Sequence, residues 1–183
     1  MPPPPITLIL AADLQEGIAK GGDLPWHLPD DLKRFRRLTV GRGHNAVLMG
    51  RATWDSVPPR FRPLEGRLNI VLSRRPDPTP GATLVHSWNE ALAAASQADE
   101  LWIVGGADLY RQALARDDIA AIELTRVLAD CDCDLTWSGV PADYICTATQ
   151  ECPARGQSPA FRYERWEPPR TNPRRGRASD PTG

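Results

Sequence analysis

Apolar, β-branched runs alternate along this chain with segments of helical pattern, and this alternation constrains the fold more than any other feature. Several of the runs are too uniformly apolar to have a solvent-facing side, which indicates a sheet covered on both faces. The predicted strands are 6–12, 46–49, 68–72, 82–85, 101–104 and 119–124. The predicted helices are 29–40, 51–56, 88–96 and 107–115, and Ser87 is the expected N-cap of the third. This order predicts an α/β fold with a largely parallel sheet.

The pattern changes in the last third of the chain. Segments 144–151 and 160–166 are typical of strands joined by a loop without an intervening helix, so they should extend the sheet as an antiparallel edge. The segment 168–183 is rich in Pro and Arg and has no apolar periodicity, which predicts a disordered tail. We therefore expect a flexible start over 1–5, one folded domain over 6–167 and a disordered tail over 168–183.

Charge and hydropathy exclude some broad classes of protein. Lys and Arg number 22 and Asp and Glu 23, so no overall field would draw the chain to nucleic acid or to a membrane. The chain has no apolar run of membrane-spanning length and no signal-peptide pattern at its start, so we expect a cytoplasmic protein. None of the cysteines has C-x-x-C spacing, and we interpret them as reduced and structural, with a metal contact of Cys131 and Cys133 as the alternative; the four are Cys131, Cys133, Cys146 and Cys152.

The segment PWHLPDDLKRFRRL places two neighbouring aspartates at the start of a helix. Pro29 suits the first helical position, and Asp30 and Asp31 favour the positive end of the helix dipole. At about 100° per residue, Asp31 falls on the apolar stripe of this helix. The members of that stripe are Leu28, Leu32, Phe35 and Leu38. Asp30 is expected to point to the other side, together with Arg34 and Arg37.

An inward carboxylate needs a partner, and two interpretations of Asp31 stay open at this point. It can bond to free amides at the helix start or to a buried side chain. Alternatively, it awaits a ligand that offers adjacent N–H donors, such as an amidine-like edge of a heterocycle. The helix pattern by itself does not choose between them.

The segment does not stand alone. It is preceded by ILAADLQEGIAKGGDLPW and followed, in this order, by VLMGRATWDSVP, RPLEGRLNIVLSR and LWIVGGADLY. Together these motifs resemble the dihydrofolate reductases over residues 6–167. The resemblance implies a central eight-stranded, mostly parallel sheet with an antiparallel C-terminal strand and about four flanking helices. It also implies reduction of 7,8-dihydrofolate to 5,6,7,8-tetrahydrofolate with NADPH, a reaction that supplies one-carbon metabolism.

By this resemblance Asp31 is the active-site carboxylate that binds the ring nitrogen and 2-amino group of the pterin. NADPH delivers hydride to C6, and N5 gains a proton, for which we expect a water near Asp31 to be the donor. Arg67 matches the residue that holds the α-carboxylate of the substrate's glutamate, and Arg36 could assist it. The remaining implied substrate contacts are Ile9, Leu10, Ala11, Leu32, Phe35, Val57, Leu64, Val104, Tyr110 and Thr125. Thr125 is expected to support Asp31 through its hydroxyl and a water.

Two glycine-containing turns between strand and helix, in MGRATW and IVGGADLY, are expected to hold the cofactor phosphates. The family has a cis bond between the two adjacent glycines of the second turn. Arg51, Ser73 and Arg74 are expected near the 2′-phosphate, whereas Asp108 departs from a basic residue found in many relatives. The full expected cofactor set is Ala11, Ile18, Leu24, Gly50, Arg51, Ala52, Thr53, Leu72, Ser73, Arg74, Val104, Gly105, Gly106, Ala107, Asp108, Leu109 and Tyr110.

The glycine-rich segment 15–24 matches a mobile lid over the nicotinamide. Ala19 stands where relatives usually have glycine, which would stiffen the lid. Ile18 and Ala11 should meet the carboxamide through backbone atoms. Asp134 matches a residue that can bond to the closed lid, but its neighbour Leu135 departs from a common threonine, so this bond stays open.

Three other functions compete with this interpretation. A pyrimidinone reductase of the riboflavin pathway shares the fold, but would not need Asp31 and Arg67. A catalytically silent nucleotide-binding domain would be expected to lack Asp31 or the glycine pair. Nucleic-acid binding would use the tail arginines Arg170, Arg174, Arg175 and Arg177. We expect instead a monomer that binds small molecules, including antifolate inhibitors, and neither nucleic acid nor membrane.

Overall fold

The computed structural model describes residues 3–169, which form one large sheet, a small second sheet and four α-helices. The strands are β1 Ile6–Ala12, β2 Gly17–Ala19, β3 Ala46–Gly50, β4 Leu68–Leu72, β5 Thr83–Val85, β6 Leu101–Ile103, β7 Ile119–Val127, β8 Leu135–Thr136, β9 Ile145–Cys152 and β10 Phe161–Glu167. The helices are α1 Pro29–Val40, α2 Arg51–Ser56, α3 Trp88–Ala94 and α4 Ala107–Leu114, with a 3-10 turn at Pro59–Phe61.

The large sheet has eight strands in the order β5-β4-β3-β6-β1-β7-β10-β9. The first six of these pair in parallel, and β10 pairs antiparallel with both β7 and β9. The predicted α/β fold with a mostly parallel, eight-stranded sheet and an antiparallel end is therefore confirmed. Since the parallel strands share one direction, their carboxyl ends meet at one edge of the sheet, where loops can build a site.

Both faces of the parallel part of the sheet are covered, as the uniformly apolar strands predicted, whereas β9 at the antiparallel end is mostly exposed. Alternate residues of β1 point to opposite faces. Leu8 packs with Ala91 of α3 and Leu109 of α4, whereas Ile9 packs with Trp54 of α2. Helices α3 and α4 thus cover one face, and α1 and α2 cover the other. Because the four helices pack against the sheet, the loops that join strands to helices are held in place at its edge.

The element ends differ from the predictions in a few places. Strand β7 continues to Val127, three residues beyond the predicted end, because its pairing with β10 extends along its polar C-terminal part. Strands β2 and β8 were not predicted, because two or three residues are too short to show a periodicity. The predicted N-cap is confirmed, since the Ser87 hydroxyl accepts a hydrogen bond from the Glu90 amide.

Residues 1–2 and 170–183 lie outside the described residues. The flexible start, the disordered tail and the tail arginines therefore stay predictions. Within residues 3–169, no helix combines the length and the apolar character that a membrane span requires. The four cysteines are free thiols.

Candidate active site

A cleft of about 1400 Å³ opens at the carboxyl ends of the parallel strands. Asp31 lines it, together with every residue of the expected cofactor set and most of the expected substrate contacts. The substrate contacts that line it are Ile9, Leu10, Ala11, Leu32, Phe35, Val57, Val104, Tyr110 and Thr125. One cavity thus joins the carboxylate to both glycine-containing turns, although these segments are far apart in the sequence.

The Asp31 carboxylate lies inside the cleft and is bonded to a neighbouring strand. The hydroxyl of Thr125 donates to Asp31 Oδ1 at 2.6 Å, so the contact that the resemblance implied through a water is direct in this structure. Burial raises the pKa of Asp31, and this effect outweighs the Thr125 hydrogen bond and the nearby Arg34 charge, which both lower it. Oδ1 of Asp31 accepts from Thr125, and Asp31 is one of the residues that line the cleft.

The prediction that Arg34 points away with Asp30 is wrong. The Arg34 guanidinium donates to Glu123 Oε2 of β7 at 2.5 Å, and only 15% of its side chain is exposed. It also lies over the ring of Tyr163, with 4.3 Å between the guanidinium carbon and the ring centroid. A helical wheel could not reveal this, because the acidic partner lies 89 residues away in the sequence.

Three expected substrate contacts lie outside the lining of the cleft. Leu64 packs in the apolar cluster that includes Phe35. Arg67 donates to Thr39 Oγ1 at 2.7 Å, and its guanidinium carbon lies 5.9 Å from the Phe35 ring centroid. Arg36 forms an exposed ion pair with Glu65 at 3.0 Å. Neither arginine lines the cleft: Arg67 lies behind the wall residue Phe35, and Arg36 projects from α1 toward Glu65.

The two glycine-containing turns lie side by side. The Gly50 amide donates to the Gly105 carbonyl at 2.8 Å, which joins the end of β3 to the end of β6. The peptide bond between Gly105 and Gly106 is cis, as the resemblance implied. Gly106 is the N-cap of α4 and has no side chain to occupy the free amides of the first turn. Tyr110 links α4 to β1 beside these turns, since its buried hydroxyl donates to the Ile9 carbonyl at 2.9 Å.

Arg51, Arg74 and Arg75 line one end of the cleft, and nearby carboxylates partly neutralise their positive charge. Arg51 is held by Asp55 at 3.1 Å and by the Asp77 carbonyl at 2.8 Å. Asp108 forms bonds with Arg111 and Gln112, and these bonds hold the pKa of its carboxyl below the usual value. The acidic residue that departs from the family pattern is therefore engaged within its own helix.

Sequence reasoning missed several lining residues at this end, among them Arg75, His86 and Gln112. His86 directly follows β5, and its Nδ1 lies 2.7 Å from the Ser73 carbonyl. A residue placed just after a parallel strand belongs at the carboxyl edge of the sheet. That position is the signal that could have identified His86 from the sequence.

A family model described as Dihydrofolate reductase matches residues 5–167. The chain belongs to the dihydrofolate reductase family. The family predicted from the motifs is thereby confirmed, and the riboflavin-pathway alternative is not favoured.

Similar proteins agree with this assignment. Dihydrofolate reductase of Mycobacterium leprae is 38% identical over 149 residues, covering 76% of this chain and 88% of that protein. Bifunctional dihydrofolate reductase-thymidylate synthase 2 of Arabidopsis thaliana is 38% identical over 141 residues, covering 69% of this chain but only 25% of that longer protein. The structure of dihydrofolate reductase from Enterococcus faecalis complexed with NADP(H) and RAB-propyl matches with a TM-score of 0.77 and 29% identity, covering 89% of this chain and 95% of that chain.

In this dihydrofolate reductase-family chain, the segment 15–24, which is the predicted lid and is called the lid below, contacts the loop that contains β8. Strand β2 of the lid pairs antiparallel with β8. The Gly21 amide donates to Asp134 Oδ2 at 2.8 Å, and the Asp134 amide donates to the Ala19 carbonyl at 3.1 Å. The lid bond of Asp134 that the sequence left open is therefore present, with Leu135 as its neighbour.

Asp13 anchors the base of the lid. Its buried carboxylate accepts backbone N–H bonds from Gln15 at 2.9 Å, Gly17 at 2.7 Å and Cys131 at 3.0 Å. Burial would raise the pKa of Asp13, but these amides and the Cys133 thiol together bring it below the usual value. The carboxylate thus ties the start of the lid to the loop that precedes β8.

Replacing Gly17 should loosen this anchor, because there is no room for a side chain. A Cβ built on Gly17 would lie 2.4 Å from the Cys133 Cβ and 2.9 Å from Asp13 Oδ1. We expect Gly17→Ala to reduce the free energy of unfolding by about 1–3 kcal/mol, as measured by urea denaturation, and to lower kcat. The double variant Gly17→Ala/Cys133→Gly should regain part of both losses, whereas equal losses in the single and double variants would contradict this account.

Proposed function

We propose that this chain reduces 7,8-dihydrofolate to 5,6,7,8-tetrahydrofolate with NADPH. One observation carries the proposal: a half-buried carboxylate, Asp31, lines the same cleft as the glycine pair Gly105 and Gly106. This juxtaposition suits a reaction in which a heterocycle and a dinucleotide must meet face to face. The membership of the dihydrofolate reductase family gives the reaction its substrate.

Asp31 would orient the pterin and assist its protonation. An ionised carboxylate accepts paired N–H bonds from the ring nitrogen and the 2-amino group. Its negative charge in a low-dielectric pocket also stabilises positive charge on the bound ring, which favours a proton at N5. We propose that a water admitted to the cleft delivers this proton, with Asp31 acting through its electrostatic influence.

The apolar part of the cleft would hold the pterin and the benzoyl group. Leu32 and Phe35 of α1 and Ile9 of β1 line this part of the cleft. Leu32 is 53% exposed and lines the cleft, so a bound ring would cover its side chain. We propose that Arg67 meets the glutamate α-carboxylate, a role that requires its guanidinium to extend beyond Phe35.

The other half of the cleft fits a dinucleotide. A Cβ on Gly106 would lie 3.4 Å from Thr53 Oγ1, so the absence of a side chain there leaves space for close approach of a phosphate to the α4 amides. When bound, NADPH supplies the hydride. Arg51, Ser73 and Arg74 would meet its 2′-phosphate, and the neighbouring Arg75 adds charge. The Enterococcus relative is complexed with NADP(H), which supports the same cofactor here.

Small molecules are thus the proposed partners of the cleft, and antifolates would compete for its apolar half. The monomeric state, the cytoplasmic location and the lack of nucleic-acid binding stay predictions.

A direct assay tests the proposed function. We expect the absorbance of reduced nicotinamide to fall when the purified protein meets dihydrofolate and NADPH, and to stay constant when dihydrofolate is omitted. NADH should support a slower reaction at equal concentration. A folded protein that binds NADPH but turns over neither dihydrofolate nor a pyrimidinone of the riboflavin pathway would favour the silent nucleotide-binding domain instead.

A further inference from the structure

A ladder of polar side chains lies beneath the Asp31 carboxylate. Asp31 and Arg34, three residues apart on α1, project toward the sheet on the same side of the helix. They meet Thr125 and Glu123, two residues apart on one face of β7. On the next strand, β10, the register partners of these two residues are Tyr163 and Arg165. The Asp31–Thr125 pair and the Arg34–Glu123 pair therefore lie next to each other between α1 and the sheet. We call the second pair, together with Arg165, the lower rung.

The lower rung holds the Arg34 guanidinium in one place. Glu123 accepts from Arg34 through Oε2 and from Arg165 through Oε1, each at 2.5 Å, and only 7% of the Glu123 side chain is exposed. Arg165 is fixed in turn by Glu167 at 2.8 Å. Stacking on Tyr163 restrains the guanidinium from another side. A buried ion pair of this kind is costly to desolvate, so its net contribution to stability is small.

Several charged or titratable groups surround Asp31. Arg34 and Asp30 lie on its own helix, Glu123 and Arg165 form the lower rung on β7 and β10, and Cys152 lies beyond on β9. Burial, together with the nearby Asp31 carboxylate, raises the pKa of Tyr163 to about 12, so the phenol stays neutral near Asp31. Arg34 is the cation whose charge lowers the pKa of Asp31, and its guanidinium is paired with the Glu123 carboxylate.

We propose that Arg34, held by Glu123 and Arg165, is a positioning residue that sets the electrostatic environment of Asp31 and thereby the pH dependence of the reaction. The inference rests on the proposed function only for its kinetic readout. The pairing itself requires nothing from a ligand, because every group in it belongs to this chain.

Opposite charge changes at the two ends of the Arg34–Glu123 pair should shift the titration of Asp31 in opposite directions. Arg34→Met removes the positive charge but keeps much of the apolar stem, so the pKa of Asp31 should rise. Glu123→Gln removes the negative charge that offsets the two arginines, so the pKa of Asp31 should fall. Arg34→Lys keeps the charge and should restore most of the wild-type behaviour, although it cannot reproduce the stacked planar geometry. A general structural disturbance would not shift the pKa of Asp31 in opposite directions in Arg34→Met and Glu123→Gln.

The titration can be followed in two ways. Carboxyl ¹³C NMR of the free protein reports it without turnover, with the Asp31 signal assigned by its loss in Asp31→Asn. The pH profile of kcat reports the same group when dihydrofolate is reduced. Arg37→Met is the matched control, since Arg37 is an exposed arginine of the same helix, and it should leave both profiles unchanged.

Opposite shifts in Arg34→Met and Glu123→Gln, with Arg37→Met unchanged, would support the proposal. An Asp31 titration that is the same in wild type and in folded Arg34→Met, or shifts of the same sign in both variants, would overturn it. If Arg34→Met does not fold, Arg34→Lys and Glu123→Gln still decide through the sign of the Glu123 effect. A clear NMR shift in a protein without turnover would separate failure of the proposed function from failure of this inference.

Discussion

Asp31→Asn should lower kcat/KM for dihydrofolate by about 10² or more, the size expected when a key catalytic group is lost. The amide is nearly isosteric, and its oxygen can still accept from the Thr125 hydroxyl, so the fold of the cleft should persist. The negative charge that favours protonation of the pterin is lost, however. Steady-state kinetics with dihydrofolate and NADPH provide the measurement, and NADPH affinity serves as the control because it should change little.

The same substitution should make the protein more stable at neutral pH. Burial raises the pKa of Asp31, so the folded state binds this proton more tightly than the unfolded chain. Stability therefore falls as pH rises from the ordinary range of an unfolded aspartate through the raised value in the folded state. Asn does not titrate, so the gain in unfolding free energy should be absent in acid and full above the folded-state pKa. A variant that is less stable than wild type at neutral pH would contradict the burial cost of Asp31, and a variant that keeps the wild-type kcat/KM would contradict its catalytic role.

Gly105→Ala should weaken NADPH binding by about 10-fold to 100-fold, or roughly 1.4–2.8 kcal/mol, because a side chain in this disfavoured backbone region should displace the edge of the cofactor site. Gly105 has a φ of 124°, and a Cβ there would lie 3.3 Å from both Thr53 Oγ1 and the Tyr110 hydroxyl oxygen. The new methyl group would disturb the edge where the two turns approach. Quenching of tryptophan fluorescence on NADPH addition would give the affinity.

Gly43→Ala separates the backbone effect from the effect on the cleft. Gly43 also has a positive φ, 92°, but no atom lies within 4 Å of its built Cβ, and it belongs to the loop between α1 and β3. This control should lose stability and keep NADPH affinity. Equal affinities in wild type, Gly105→Ala and Gly43→Ala would remove the glycine pair from the cofactor site.

Local sequence patterns predicted the main elements well. The bounds of β1, β4, α1 and α2 follow from local signals, such as apolar runs that end at polar residues and Pro29 at a helix start. The motifs also placed the expected cofactor residues in one cleft, because each motif lies where a parallel strand ends. These features depend on short stretches of chain, which a single sequence contains in full.

Features that depend on distant partners were less predictable. The inward turn of Arg34 follows from Glu123 and Arg165 on two strands that come much later in the chain. The pairing of the lid with β8 joins two segments that have no periodicity of their own. The position of Arg67 behind Phe35, outside the cleft lining, depends on a hydrogen bond to Thr39. In each case the position of a side chain or strand depends on a partner that is distant in the sequence, so a local pattern cannot predict it.

The central position of β1 has a consequence for the synthesis of this protein. Its neighbours in the sheet are β6 and β7, so Ile6 must wait for Leu101 and Ile119 to leave the ribosome before it can pair. Until then the nascent chain carries an unpaired apolar strand, a type of segment prone to aggregation. Pairings this distant in sequence are typical of slow folding. A chaperone that shields ITLILAA during translation should therefore increase the yield of active protein more than one added after release.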